Sequence, residues 1–330
     1  MKACSSERCS RGRIVNFLLG FFGLLALVVL FFVYYMHKSS LYVPERGLIV
    51  DQPTDDAFSR LLVENKIADC YVMNKICVKI MKKFRYEIKF GEYALPHHVS
   101  LYDTIKIISS GQVIIHKITF PEGFSVVQTL RRLEKDENLR GKIEKIPPEG
   151  SLMPDTYCFK YPTTRQEIIS WAQQAMRNFL WQEWPKRSPK CTLQSPREAL
   201  ILASIVEKET NLEKERIAGV YLRRLAIGMK LQSCPTVIYG LQKGERLYRP
   251  LNRADLIKDM SHNTYVYPGL PPTPITNPGR TSIIAVLHPK ETDEIFFVYE
   301  GAGRHAFAKT YDEHKRNIAR IQKKDISQVR

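Results

Sequence analysis

One uninterrupted apolar segment near the N-terminus constrains where the rest of this chain can fold. From Ile14 to Met36 the sequence reads IVNFLLGFFGLLALVVLFFVYYM, 23 residues without a charged side chain. As an α-helix, this segment is about 35 Å long, which is enough to cross the hydrocarbon core of a bilayer. A cleaved signal peptide is the alternative, but its apolar core would be shorter, and no small-x-small cleavage site follows His37. We therefore predict a single transmembrane helix over residues 14–36.

The charges that flank this segment predict its orientation. Four Lys and Arg residues precede it, and only Glu7 opposes them. Cytoplasmic flanks of membrane helices carry such an excess of cations. We predict that residues 1–13 form a cytoplasmic tail. The bulk of the chain would then lie outside the cytoplasmic (inner) membrane, in a periplasmic or extracytoplasmic space.

The charge and cysteine content bear on the class of partner. The chain has 50 Lys and Arg against 34 Asp and Glu, a formal net charge of +16. This balance suits nucleic-acid binding in the cytoplasm, but the predicted topology places the basic part outside, so no nucleic-acid partner is expected. Outside the membrane, a basic surface is expected to bind anionic lipid headgroups or acidic wall peptides, or only to keep the domain soluble. Five cysteines follow the span, an odd number without metal-ligand spacing, and we predict no metal site.

Patterning after the span predicts an α+β chain in two parts. Residues 37–53 are predicted to be a connector, because proline and glycine interrupt them. Residues 54–118 show two amphipathic helices, a strand-like stretch, a helix capped by Ser100 and a second strand, and are predicted to form a small membrane-proximal module. Residues 119–330 begin with the turn PEGF and a helix capped by Ser125, and are predicted to form a larger mixed domain.

One helix of the larger domain carries the main candidate for chemistry. Ser195, Pro196 and Glu198 predict an N-cap, a first-turn proline and a capping-box acid. The helix then reads ALILASIVEKET, and Glu207 ends its apolar run with two small residues on the same face. A carboxyl group against apolar walls is expected to keep its proton near neutral pH and to act as an acid.

The alternative is that Glu207 opens an ordinary solvated stretch, because several charged residues follow it closely. Glu209 is a second candidate from the same string. Its side chain is expected to point to a different side of the helix.

The order of several motifs resembles one known family. These are ILASIVEKET, YLRRLAIGMKLQSCPTVIYG, LNRADL, HNTYVYPGLPPTPITNPG, IIAVLHP and FFVYEGAGRHAFAKTYDEH, with KFGEYAL, PEGF and MPDTY upstream. Together they resemble the YceG-like family of endolytic murein transglycosylases (MltG). The resemblance implies a membrane-anchored protein whose membrane-proximal module is LysM-like and whose larger domain is catalytic. It also implies that the catalytic glutamate is the first acid of the EKE string, here Glu207.

The chemistry implied by this resemblance needs one carboxylate. Ordinary glycosidases use two, one as acid and one as nucleophile or base. A lytic transglycosylase instead cleaves the MurNAc-GlcNAc β-1,4 bond with the substrate's own C6 hydroxyl and leaves a 1,6-anhydro-MurNAc end. One glutamate can act as acid and then as base, so no cofactor and no metal is expected. The substrate would be nascent peptidoglycan glycan strands, whose cleavage would end glycan elongation.

Polar residues inside the matched motifs are the candidates for the glycan groove. They are Gln232, Asn263, Tyr265, Asn277 and His305, each of which could equally be structural. One departure from the family pattern is Cys234, which stands where family members commonly have aspartate; Asp255 could compensate for it. The departure supports an alternative function, a non-catalytic peptidoglycan-binding scaffold. Peptidoglycan synthases are the expected protein partners in either case.

Overall fold

The computed structural model describes residues 4–40 and 47–328, with side chains from 16 to 40 and from 47 to 323. The helices are α1 Cys4–His37, α2 Asp55–Glu64, α3 Tyr71–Lys83, α4 Leu101–Ser110, α5 Val126–Glu134, α6 Arg165–Glu183, α7 Pro196–Glu209, α8 Lys214–Ala226, α9 Cys234–Gln242, α10 Arg253–Ile257, α11 Arg280–Leu287 and α12 Tyr311–Gln328, with a 3-10 turn at Trp184–Lys186. The strands are β1 Leu48–Val50, β2 Gly91–Tyr93, β3 Ile115–Thr119, β4 Thr156–Lys160, β5 Phe296–Gly301 and β6 Arg304–Ala308. They pair as β1–β2, β3–β4 and β5–β6. The predicted α+β class is confirmed.

Helix α1 contains the apolar segment singled out from the sequence. Within it, Asn16–His37 is long and apolar enough to cross a membrane, with a mean hydropathy of 2.7 over its most apolar window. Its side chains in that window are not buried against the rest of the protein. A single-pass anchor is consistent with these properties.

Contacts between residues divide the chain into two compact units. The first unit contains the chain up to His116 together with Phe159–Pro162, and the second contains Lys117–Cys158 and the chain from Thr163 onward. The roles predicted for residues 54–118 and 119–330 stay predictions, as does the LysM-like character of the smaller part.

The first unit is built on α2, α3 and α4 with the β1–β2 pair. β1 and β2 are antiparallel, with Leu48 opposite Tyr93. The predicted N-cap Ser100 is confirmed, because its Oγ accepts the Asp103 N–H at 3.1 Å. Phe58 of α2 and other apolar side chains of these elements form one buried core.

The second unit is built around α7, α8 and α11. Its core contains apolar residues of all three helices, among them Leu202, Tyr221 and Val286. Helix α8 approaches another segment closely at Gly219, where a Cβ atom would lie 2.2 Å from the backbone oxygen of Lys290. An antiparallel hairpin, β5–β6, follows α11 and precedes α12. The buried residues of α7, from Ala199 to Val206, pack into this core and position the C-terminal end of the helix.

Candidate active site

Helix α7 ends with two carboxylates on different sides of the helix. The predicted N-cap Ser195 and first-turn Pro196 are confirmed, since the Oγ of Ser195 accepts the Glu198 N–H at 3.2 Å. The predicted capping box does not form, because the Glu198 carboxylate accepts the Gln194 N–H at 2.7 Å and not the Ser195 N–H. All residues from Ile201 to Glu207 are buried. Glu207 and Glu209 lie two positions apart, which is about 200° around a helix axis. They therefore contact different parts of the second unit.

Glu207 is enclosed by hydrogen-bond donors. Its side chain is only 4% exposed. The Nζ of Lys214 lies 3.3 Å from both carboxylate oxygens, and it also donates to Thr281 Oγ1 at 2.9 Å. The Gly279 N–H donates to Oε2 at 2.9 Å, and the Ser282 hydroxyl donates to the same oxygen at 2.5 Å. Glu207 thus joins α7 to α8 and to the start of α11.

These contacts differ from the apolar surroundings expected for Glu207. The small residues one turn back do leave space, but polar groups from α8 and α11 fill it. Lys214 lies seven residues farther along and Ser282 lies 75 residues farther along. A buried carboxylate with a buried cation and two further donors is well suited to hold three helices together.

Glu209 instead lines a cavity of about 330 Å³. It is half-buried, and its Oε1 accepts the hydroxyl of Tyr221 at 2.8 Å and that of Ser233 at 2.5 Å. The other lining residues are aromatic, polar or cationic: Arg224, Gln232, Cys234, Tyr265, Phe296, Phe297, Tyr311 and His314. Aromatic faces beside hydrogen-bonding groups are the combination that a sugar ring can use, because its CH faces are apolar and its rim is polar.

Burial sets the protonation of the groups around this cavity. It raises the pKa of Tyr221 well above the ordinary value, and the negative charge of Glu209 adds to the effect. Burial, followed by the contact with Cys234, raises the pKa of Tyr265 as well. Burial lowers the pKa of His314, and the nearby positive charge of Arg224 adds to this. At neutral pH the two phenols are therefore hydrogen-bond donors and the imidazole is neutral.

Three residues of the cavity have an uncommon backbone angle, a close sulfur contact or an unpaired nitrogen. Gln232 has a φ of 53°, in the left-handed region that residues other than glycine rarely adopt, and its N–H donates to the Thr264 carbonyl at 3.1 Å. Cys234 begins α9, and its Sγ lies 3.2 Å from the hydroxyl of Tyr265. In addition, Nδ1 of His314 is a buried nitrogen without a hydrogen-bond partner in the described part of the chain. Strained backbone and unpaired polar groups concentrate at functional sites.

Of the five predicted groove residues, Gln232 and Tyr265 lie together in this cavity. The other three have structural contacts. Asn263 donates from Nδ2 to three carbonyls of the segment 255–258, at 2.8 to 3.4 Å. Asn277 accepts the Leu152 N–H at 3.0 Å. His305 Nδ1 lies 3.0 Å from Glu213 Oε2, which also accepts the His305 N–H.

Asp255, considered as a substitute for the aspartate missing at Cys234, is engaged elsewhere. Two nitrogens of Arg249 donate to its carboxylate at 2.6 and 2.8 Å, and they lower the pKa of Asp255 to about 2. Its carboxylate also accepts the Asn252 N–H at the start of α10. Asp255 is therefore a cap and ion-pair residue.

The sequence also contains a signal for Glu209, which the prediction based on Glu207 leaves aside. The residues three, four and seven positions before it are Val206, Ile205 and Leu202, all buried. Glu209 thus ends the most apolar face of α7, whereas Glu207 ends the face with the small residues. The residues beside it in the cavity, Tyr221, Ser233 and Arg224, could not be found from the spacing of residues in the sequence.

The structure also bears on metal binding. No group of three or more His, Cys, Asp and Glu side chains that could hold an ion occurs among the described residues.

Comparisons with known proteins agree on one family. The profile of the YceG-like family matches residues 51–320. A protein of Bacillus subtilis (strain 168) called endolytic murein transglycosylase is 31% identical, over 72% of this chain and 77% of that protein. A protein of the same name from Streptococcus pneumoniae (strain ATCC BAA-255 / R6) is 27% identical, over 71% of this chain and 50% of that protein.

The fold also matches a solved structure. A crystal structure of a YceG-like protein from Listeria monocytogenes superposes with a TM-score of 0.52 and 27% identity, covering 84% of this chain and all but 1% of the other. Since the family profile covers most of the chain and the fold agrees, the protein described here belongs to the YceG-like family.

Proposed function

We propose that this protein is a membrane-anchored endolytic lytic transglycosylase of peptidoglycan. It would cleave the MurNAc-GlcNAc β-1,4 bond within nascent glycan strands, form 1,6-anhydro-MurNAc ends and so end strand elongation. Membership of the YceG-like family and the relatives called endolytic murein transglycosylase support an enzyme that acts on peptidoglycan. The aromatic and polar cavity beside Glu209 supports the proposal, because aromatic faces beside hydrogen-bonding groups suit a sugar ring.

The cavity favours Glu209 over Glu207 as the proton-transferring carboxylate, and this is the observation on which the mechanism rests. Glu207 has four hydrogen bonds and its side chain is 4% exposed, whereas Glu209 lines the cavity. Glu209 has Oε1 held by two hydroxyls, while Oε2 accepts no hydrogen bond from the described residues. The Glu209 Oε2 is therefore the oxygen available for proton exchange with a sugar in the cavity.

The reaction can then run on this one residue. In the acid step, a proton carried by Glu209 Oε2 passes to the glycosidic oxygen as the bond between C1 of MurNAc and that oxygen breaks. The sugar gains positive charge in an oxocarbenium-like transition state. The Glu209 carboxylate, now negative, stabilises this charge and takes the proton of the C6 hydroxyl as O6 attacks C1. Atoms balance without water, and the product is the anhydro ring.

Two features of the cavity assist these steps. Tyr221 and Ser233 orient the carboxylate, since both donate to the same oxygen and leave the other one free to react. Phe296 and Phe297 make part of the wall apolar, which disfavours water as a competing nucleophile. Gln232 and Tyr265 line the same cavity and would contact sugar hydroxyls.

The proposal also includes the location of the protein in the cell. Helix α1 would anchor the protein in the cytoplasmic membrane as a single-pass span with its N-terminus in the cytoplasm. The catalytic unit would then meet glycan strands outside that membrane, beside the synthases that make them. The smaller unit would act as a LysM-like module that contacts the strand.

Identification of the product ends tests the proposal. The purified full-length protein is incubated with uncrosslinked glycan strands, and the products are analysed by mass spectrometry. We expect internal cleavage and anhydro ends, which are 18 Da lighter than the ends left by water. Fragments with reducing ends only would contradict the transglycosylase step, and binding without cleavage would support the scaffold function instead.

A further inference from the structure

A second cavity, of about 310 Å³, lies in the second unit at the ends of α7 and α9. Lys208 of α7 and Pro235 of α9 contribute to its lining. Their neighbours along the chain, Glu209 and Cys234, line the cavity proposed to hold the sugar. Adjacent residues of a helix point about 100° apart around its axis. The two cavities therefore lie on adjacent sides of the same two helix ends.

The loop that follows α9 forms one wall of this cavity, and it is held at both ends. At its start, the Ser125 hydroxyl donates to the Gly244 carbonyl at 2.7 Å. Gly244 has a φ of 92°, and a Cβ atom there would lie 2.7 Å from the Cβ of Ser125. At its other end, two nitrogens of Arg249 donate to the Asp255 carboxylate at 2.6 and 2.8 Å. The fold thus fixes the walls of the cavity.

The lining of this cavity has an excess of positive charge. It contains three cations and one carboxylate. The carboxylate, Glu245, pairs with Arg131, which lies outside the lining. One of the cations, Arg249, is paired as just described. The two cations that remain are Lys208 and Arg246.

These two cations are available to a ligand. The Lys208 Nζ has one hydrogen bond to a described residue, a long one of 3.4 Å to the Gly123 carbonyl. Arg246 forms no hydrogen bond or ion pair with the described residues, and its guanidinium lies 5.6 Å from the centre of the Tyr248 ring. Ammonium and guanidinium groups without an acidic partner bind carboxylates through charge-assisted hydrogen bonds.

The rest of the lining includes apolar side chains. Ile238 of α9, Leu247 of the loop and Ile275 face the same space. A ligand that suits this cavity is therefore short, carries at least one carboxylate for the two cations and has small apolar groups for the aliphatic wall.

A peptidoglycan strand has one component of this kind. Its sugars carry no charge where the lactyl carboxyl group of MurNAc is bound in an amide. The peptide attached through that amide is short and acidic. A sugar in the cavity of Glu209 would therefore direct its peptide to a neighbouring cavity.

We propose that the cavity of Lys208 and Arg246 binds the acidic peptide of the MurNAc residue whose bond is cleaved. The inference rests on the function proposed above and specifies its substrate further. Strands that still carry acidic peptides would be the preferred substrate, because the peptide adds binding energy beside the reacting sugar.

Isothermal titration calorimetry of the full-length protein in detergent tests this site without any cleavage. The probe is N-acetylmuramyl-L-alanyl-D-glutamic acid, and the matched probe is the same compound with both carboxyl groups converted to amides. We expect the acid to bind about tenfold more tightly than the diamide, and less tightly as salt is added. Equal affinity for the two probes would overturn the proposal.

Paired variants make the test specific. Lys208→Gln with Arg246→Gln should weaken binding of the acid by about threefold to fivefold for each cation. The variant should bind the diamide as the wild type does. Lys142→Gln with Lys145→Gln removes the same charge from exposed positions of the same unit and should leave binding of both probes unchanged. Wild-type affinity of the first pair for the acid, or an equal loss in both pairs, would overturn the site.

A cleavage assay separates this proposal from the enzymatic one. Uncrosslinked strands with acidic peptides are compared with strands whose peptide carboxylates have been converted to amides. We expect a KM about tenfold lower for the acidic strands in the wild type, and nearly equal KM values in the Lys208→Gln, Arg246→Gln variant. Cleavage of both strands with the same KM by the wild type would overturn the peptide site alone. Selective binding of the acid by a wild type that cleaves neither strand would overturn the enzymatic function alone.

Discussion

Two carboxylates separated by one lysine at the end of α7 have very different surroundings. Glu207 has a buried ammonium, a hydroxyl and a backbone N–H, whereas Glu209 has two hydroxyls and a cavity. The sequence places both at the end of a buried helix. The carboxylate that faces the cavity is determined by contacts with α8, α11 and the loop before α9. The local sequence of α7 does not contain this information. A proton donor needs an approach for substrate as well as a suitable environment.

The structural role of Glu207 predicts the effect of removing its cation. In Lys214→Met the Glu207 carboxylate stays buried without its opposite charge. We expect the free energy of unfolding to fall by about 3–5 kcal/mol, as for other buried pairs that lose one partner. Denaturant unfolding measures this free energy. Lys142→Met, at an exposed position, is the control and should change the value by about 0.5 kcal/mol or less. Equal stability of the two variants would show that the pair has no such role.

The position of Cys234 predicts inhibition by a thiol reagent. Cys234 is exposed in the cavity beside Glu209, so alkylation with iodoacetamide should fill the space meant for the sugar. Burial raises the pKa of Cys77 to about 11 and also raises that of Cys191, which protects both from the reagent. We expect the wild type to lose glycan cleavage on treatment.

The matched variant is Cys234→Ser, which should keep its activity after the same treatment, since the remaining cysteines are unchanged. Loss of activity in both proteins would place the sensitive thiol elsewhere and would argue against the cavity as the glycan site.

At the level of elements, helix boundaries were predictable because their signals are local. The caps Ser100, Ser125 and Ser195 each accept the expected N–H three residues on. Strands were less predictable, because pairing depends on distant partners. The stretch FRYEIKFGEYAL forms a strand only at Gly91–Tyr93, where β1 lies beside it. For the same reason Gln232 and Tyr265 could be proposed from motifs, but their meeting with Glu209 could not.

The contact between α8 and the segment after α11 gives a prediction at the same scale. The Gly219 Cα faces backbone, and the Lys290 N–H donates to the Glu215 carbonyl at 3.0 Å, so the two segments cannot easily separate. Gly219→Ala gains about 1 kcal/mol of helix propensity but forces a Cβ into that contact. We expect a net loss of about 2 kcal/mol in the free energy of unfolding.

Gly240 in α9 is a matched control for this variant. A Cβ there would meet the flexible end of Met260 at 3.3 Å, so Gly240→Ala should be neutral or slightly stabilising. Denaturant unfolding of both variants checks the comparison, and a Gly219→Ala protein as stable as the wild type would mean that the segment after α11 shifts at little cost.

For the whole molecule, the cations before residue 14 and the length of the apolar stretch of α1 predict a single crossing. A phosphatase reporter fused after Arg330, which is active only outside the cytoplasm, should be active, and a cytoplasmic reporter at the same position should be inactive. The reverse pattern would contradict the orientation. A protein released by salt or alkaline washing would contradict the span itself, because a transmembrane helix resists both.

The most direct test of the central claim compares two nearly isosteric variants on the same glycan strands. Glu209→Gln replaces the carboxyl group at the cavity with an amide, and we expect cleavage to slow by about a hundredfold to ten-thousandfold while circular dichroism stays that of the wild type. Glu207→Gln should be less stable, yet it should cleave at a rate close to the wild type per folded molecule. Wild-type cleavage by Glu209→Gln, or a folded but inactive Glu207→Gln protein, would assign the proton transfer to Glu207 and contradict the mechanism proposed for the cavity.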